Sequence, residues 1–111
     1  MNVTYIASDN SASDAQVLGA VGKDIKIYQI LFGSPTAGKI THIYNKRVAA
    51  GNASGMGSVS TDDLVYKLTQ PTAAAGNNLQ YSVEFPQGLQ VDGGSVHTDD
   101  DNVTIIWDET Q

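Results

Sequence analysis

The chain has 111 residues, twelve acidic side chains against six basic ones for a formal net charge of −6, and no cysteine. That length fits one domain with its own core, burying roughly 65% of the surface its unfolded chain exposes without disulfide or metal staples. The missing cysteines exclude thiol nucleophiles, zinc-thiolate sites and iron–sulfur clusters and are compatible with a reducing site of synthesis. The acidic balance argues against a nucleic-acid partner, because neutralising phosphate needs clustered Lys and Arg.

All six bases lie between Lys23 and Lys67, whereas the stretch after Lys67 carries Glu84, Asp92, Asp99, Asp100, Asp101, Asp108 and Glu109 with no base. This acidic last third is either a face that docks on a basic partner or charge carried for solubility. No segment has the apolar length of a membrane helix, and the opening Met1-Asn-Val-Thr-Tyr5 lacks the basic and apolar regions of a signal peptide. No membrane association is expected. The glycosylation-like triplets at Asn2, Asn52 and Asn102 carry no weight without a secretory signal.

In chain order, Val3 to Ala7 reads as a first strand, although Met1 to Ser13, polar and small, also suits a flexible arm that orders on binding. Between Ala12 and Val21 the residues Val17, Leu18 and Val21 fit a helical turn, but Gly19 and Gly22 weaken a helix and a short strand is preferred. Asp24 to Phe32 is rich in β-branched and aromatic residues. Lys39 to Asn45 repeats that composition after the connector Gly33-Ser-Pro-Thr-Ala-Gly38, so the two read as a hairpin. Ala49 to Asp63, with Gly51, Gly55 and Gly57, and Pro71 to Asn77, with Ala73 to Ala75, read as mobile connectors.

Strand periodicity is clearest further on. Leu64, Tyr66 and Leu68 alternate with Val65 and Lys67, and Leu79, Tyr81, Val83 and Phe85 alternate with Gln80, Ser82 and Glu84. Pro86-Gln-Gly88 and Asp92-Gly93-Gly94 are turn signals around a short strand, Leu89 to Val91. In the last strand Val103, Ile105 and Trp107 alternate with Thr104, Ile106 and Asp108, and Ile106 makes it apolar on both faces, which suits a central position. Short strands separated by Gly, Pro, Asn and Asp clusters, with no amphipathic helix, predict an all-β fold. The expected form is a single small antiparallel β-sandwich of jelly-roll type, with about seven to eight strands over residues 1–111.

Candidate chemistry is sparse, and no catalytic, cofactor-binding or metal-ligating residue is assigned. Asp99-Asp100-Asp101-Asn102 is the densest set of hard oxygen ligands, but adjacent carboxylates point different ways and the alternating ligands of an EF-hand are missing, so it reads as a solvated turn. Asp62-Asp63 reads the same way. His42, between Ile40 and Tyr44, is expected to be a satisfied or half-exposed strand histidine, and His97 with Asp99 across a loop has the spacing to start a metal site, but no third or fourth ligand is signalled. Gly22-Lys23 is followed by Asp24, so there is no P-loop. Tyr5, Tyr28, Tyr44, Tyr66, Tyr81 and Trp107 are the residue types of a sugar-stacking platform, but their strand positions favour core packing, with Trp107 the most interesting for exposure.

The carboxyl-terminal pattern carries a resemblance. Phe85-Pro-Gln-Gly88-Leu89-Gln-Val91, a Gly-Gly turn and then Asp101-Asn-Val-Thr-Ile-Ile-Trp107-Asp-Glu109 resemble small structural proteins of tailed bacteriophages, cyanophages included. The earlier strand Ile25-Lys-Ile-Tyr-Gln-Ile-Leu-Phe32 ahead of a Gly/Ala loop extends the likeness over residues 24–109. The resemblance implies a capsid decoration or cement protein, made in the host cytoplasm and located on the virion. It would be a trimer bridging subunits of the major capsid protein, with no cofactor. The alternatives are a carbohydrate-binding module or another virion surface or tail adhesion protein; a small hydrolase is disfavoured because no acid, base and nucleophile are suitably spaced.

Overall fold

The computed structural model describes residues 1–7, 16–20, 22–45, 64–70, 80–98 and 100–110. Among them there are eight strands and no helix: β1 (Asn2–Ile6), β2 (Gln16–Val17), β3 (Asp24–Ser34), β4 (Ile40–Tyr44), β5 (Leu64–Thr69), β6 (Tyr81–Asp92), β7 (Ser95–Thr98) and β8 (Asp101–Glu109). They form two four-stranded sheets, in the orders β1-β8-β3-β6 and β2-β7-β4-β5. Every pairing is antiparallel.

The pairing is nested. β4 pairs with β5, β3 with β6, β2 with β7 and β1 with β8, so the chain doubles back about the β4–β5 link. Only β4 and β5 are both consecutive and in one sheet. The expected hairpin of Asp24 to Phe32 with Lys39 to Asn45 is therefore corrected: β3 and β4 lie in different sheets, and Gly33 to Gly38 is a crossover. Thr36 O and Lys39 N close a turn in that crossover at 3.1 Å, and Gly38, at φ 83°, takes the left-handed backbone that glycine accepts without a Cβ clash.

One buried cluster draws on both sheets. Ile6, Ile25, Ile27, Ile30, Phe32, Val91, Val103 and Ile105 come from the first, Ile43 and Val96 from the second, and Leu18 follows β2. Each buried Ile or Phe contributes about 1.5–3 kcal/mol relative to an exposed one. On β3 the buried residues are Ile25 and Ile27, then Ile30 and Phe32, so the inward phase slips by one residue in mid-strand. The slip is a β-bulge at Tyr28: β8 faces Ile27 with Trp107 and Gln29 with Ile106, leaving Tyr28 as the extra residue. The bulge returns Ile30 and Phe32 to the inner face.

β6 answers the bulge with a larger one. Between its partners for Gln29 and Ile27 it carries Phe85 to Gly88, so the Pro86-Gln-Gly88 turn signal marks an excursion within one long strand, and the separate short strand at Leu89 to Val91 is corrected. Pro86 is accepted because β6 is an edge strand, where a missing N–H costs no ladder bond. β7 is a strand that periodicity did not indicate. Residues 8–13 of the suggested arm, the connectors 49–63 and 71–77, and Asp62 and Asp63 lie outside the described residues, whereas residues 2–6 are β1.

Gly88 is the position where the excursion has least tolerance. Its φ is 83°, and a Cβ there would stand 2.8 Å from Lys26 Cδ and 3.1 Å from Tyr28 Cε1. We predict that Gly88→Ala lowers the unfolding free energy by about 1–3 kcal/mol, measured by urea denaturation. Gly22→Ala, also at positive φ but in open space, should cost less.

Candidate functional site

Two clusters and one groove gather the polar and aromatic side chains of interest. The first cluster is a buried polar chain linking the two sheets. On the inner face Thr41 of β4 and Thr98 of β7 share a hydrogen bond at 2.7 Å. The Asp100 N–H donates to Thr98 Oγ1 at 3.1 Å, while the Asp100 carboxylate accepts from Gln70 Nε2 at 3.0 Å and from the Thr36 N–H at 3.3 Å. Tyr81 Oη, from the other sheet, donates to Gln70 Oε1.

Asp100 is 1% exposed. The expectation of a solvated acidic turn is thus corrected for this residue: its carboxylate is an internal acceptor, not a solvent-facing charge. Asp101, its neighbour, is exposed, and Asp99 lies outside the described residues. No group of three or more His, Asp or Glu converges among the described residues. A buried acceptor of this kind stabilises only while its donors are in place.

The second cluster is on the outer face of the β2-β7-β4-β5 sheet. His42 on β4 and His97 on β7 are cross-strand partners with ring centroids 5.9 Å apart, and His42 also stacks on Tyr44 at 5.7 Å. Lys67 faces His42 from β5. His42 is the half-buried strand histidine expected, but His97 belongs to a strand, not a loop, and the register brings the two imidazoles together. They are two ligands of the four a structural zinc site uses.

The groove crosses the outer face of the β1-β8-β3-β6 sheet and has a volume of about 450 Å³. Its middle follows one row across all four strands: Tyr5, Thr104, Leu31 and Ser82 stand in register. The next row contributes Asn102 and Gly33, and Gln80 and Ser82 form the β6 side, where the Tyr81 ring turns to the inner face with its partner Phe32. Gly33 keeps the floor low, since a Cβ there would lie 3.0 Å from Asn102 O. Asn102 is a fixed point: it sits at φ 55°, a conformation Asn tolerates, its Oδ1 accepts from Tyr5 Oη and its Nδ2 donates to Ser34 Oγ at 2.7 Å.

The aromatic residues divide differently from the core reading. Trp107 packs against the core and donates from Nε1 to Thr4 Oγ1 at 2.9 Å, and Tyr66 packs edge-on against Phe85. Tyr5, by contrast, is 57% exposed, and Tyr81, stacked on Phe32, is 37% exposed. Tyr5 faces out because Ile6 and Thr4 take the inner face of β1, so alternation did signal it; which face is buried was the missing information. Burial raises the Tyr44 and Tyr66 hydroxyls above their ordinary value near 10, and raises Tyr81 too, with the Asp100 carboxylate adding in the same direction.

Comparison with family models, curated proteins and solved structures returned no match. No helix among the described residues is long and apolar enough to cross a membrane.

Two predictions follow from these clusters. Asp100→Ala strands the donors of Gln70 and Thr36 and should lower the unfolding free energy by about 3 kcal/mol in urea, whereas exposed Asp101→Ala should change it by about 0.5 kcal/mol or less. Tyr44, Tyr66 and Tyr81 hold their protons more tightly folded than unfolded, so their contribution to stability is complete below pH about 10 and declines as the pH rises through their folded values. Denaturation midpoints taken across the alkaline range should fall, and fall less in Tyr81→Phe.

Proposed function

We propose that this protein is a virion structural subunit, a jelly-roll decoration or cement protein that adds to the outside of a phage head and stabilises it by burying surface at subunit junctions. The jelly-roll reading is supported by the strand orders β1-β8-β3-β6 and β2-β7-β4-β5 and by the nested antiparallel pairs, the topology of a long hairpin rolled into two sheets. The virion reading is supported by the resemblance of residues 24–109 to small phage structural proteins.

The observation that carries a surface-binding role is strand β1. Among the described residues it is the edge of its sheet, joined to β8 alone, and Val3 on it is 65% exposed, with Met1 just before it 79% exposed. An edge strand with an unpaired backbone rim and outward apolar side chains invites pairing by another chain. On this reading the capsid subunit covers that rim, copies cluster as trimers at the junction, and the net charge of −6 selects a basic surface on the shell.

The test is assembly. Purified protein added to heads that lack it should bind at saturable stoichiometry and raise their resistance to heat and osmotic shock. Val3→Asp, which puts a charge on the docking rim, should reduce occupancy by about tenfold or more while the protein stays folded. Absence of binding to any bare head, or undiminished occupancy by the Val3→Asp protein, would overturn the proposal.

A further inference from the structure

The groove on the outer face of the β1-β8-β3-β6 sheet adjoins the apolar rim, since Val3 and Tyr5 share one face of β1, but its chemistry is different and specific. None of its lining residues carries a formal charge at neutral pH: they are tyrosines, Leu31, Phe32, Gly33 and four amide or hydroxyl side chains. The chain around it carries a net charge of −6. An anion entering the groove would meet no base and an unfavourable field, and a cation would meet no carboxylate. Purely apolar ligands would leave the amides of Gln80 and Asn102 and the hydroxyls of Ser82 and Thr104 without the water they give up.

A neutral saccharide satisfies all of these terms. Its hydroxyls donate and accept, as do Ser, Thr, Asn and Gln side chains, and the apolar faces of its rings pack on aromatic rings. Tyr5 supplies such a ring from β1. Tyr5 is held in place before any ligand arrives, because its hydroxyl is bonded to Asn102, itself bonded to Ser34 on β3. Fixing the ring in advance removes part of the ordering cost of binding. Small-molecule sites span about 300–1,000 Å³, and the volume of about 450 Å³ suits a short oligosaccharide lying across the strands.

We infer that this groove is a binding site for neutral glycans, with Tyr5 as its stacking platform. The inference does not depend on the virion role, and the two can fail separately.

The experiment is a glycan array of neutral and charged oligosaccharides, followed by calorimetric titration of the intact protein with neutral glucan, mannan and galactan oligosaccharides. Binding of a neutral class at millimolar or lower concentration is expected. Tyr5→Ala should weaken it about tenfold or more, and Ser82→Trp, which fills the trough from the β6 side, should do the same. Tyr5→Phe should retain a measurable part, and Lys67→Ala, exposed on the other sheet, should leave it unchanged. Melting temperatures of each variant separate lost binding from lost fold. The proposal is overturned if the wild-type protein binds no neutral glycan, or if binding is confined to charged glycans. It is equally overturned if binding survives both groove variants in folded protein. Concentration-dependent self-association in sedimentation that Tyr5→Ala abolishes, with a silent array, would instead assign the groove to contact between copies.

Discussion

The extra residue in β3 is the constraint on which the first sheet depends. Without it, strict alternation would send Ile25 and Ile27 inward and Ile30 and Phe32 outward, splitting the apolar set of the longest internal strand between core and solvent. Tyr28 absorbs the slip, and all four then reach the same buried cluster. The cost is borne by the neighbours. β6 accommodates the distortion with Phe85 to Gly88, which only an edge strand can lengthen freely, and Gly88 must take a left-handed backbone beneath Lys26 and Tyr28. The same slip leaves Leu31 on the outer face between Thr104 and Ser82, so the floor of the groove follows from the packing of the core.

The second organising element is polar. Thr41, Thr98, Asp100, Gln70 and Tyr81 form a chain from one sheet to the other, through the crossover after β3 and the segments after β5 and β7. Apolar burial is indifferent to small sliding of one sheet over another, whereas a buried carboxylate with two donors is not. Asp100 therefore fixes geometry where the interior apolar cluster supplies cohesion. Tyr81 ties this chain to the first sheet, where its ring stacks on Phe32.

Two surfaces are left for partners, and they differ in chemistry. The β1 rim is apolar, open in its backbone and placed at a sheet edge, the character of a protein–protein contact. The groove is uncharged, hydroxylated and aromatic, the character of a saccharide site. The paired histidines on the opposite sheet, stacked with Tyr44 and faced by Lys67, are a third arrangement that the register creates.

Local patterning determined the strand content of this protein. Tyr66 to Leu68, Tyr81 to Phe85 and Val103 to Trp107 alternate because a strand with one wet and one dry face requires it, and Ile106 foretold the internal position of β8. Alternation is a property of neighbours in sequence, and it carries no information about which strands pair. Gly33 to Gly38 has the composition of a hairpin turn whether it closes a hairpin or crosses between sheets, and Pro86 to Gly88 has the composition of a turn whether the strand ends or bulges. Only the tertiary structure decided these cases. It also decided that His42 and His97 meet, that Asp100 of an acidic run is internal while Asp101 is exposed, and that Tyr5 stands outward over a groove. Each depends on partners far away in the chain, whose register is set by core packing and not by the residues on either side.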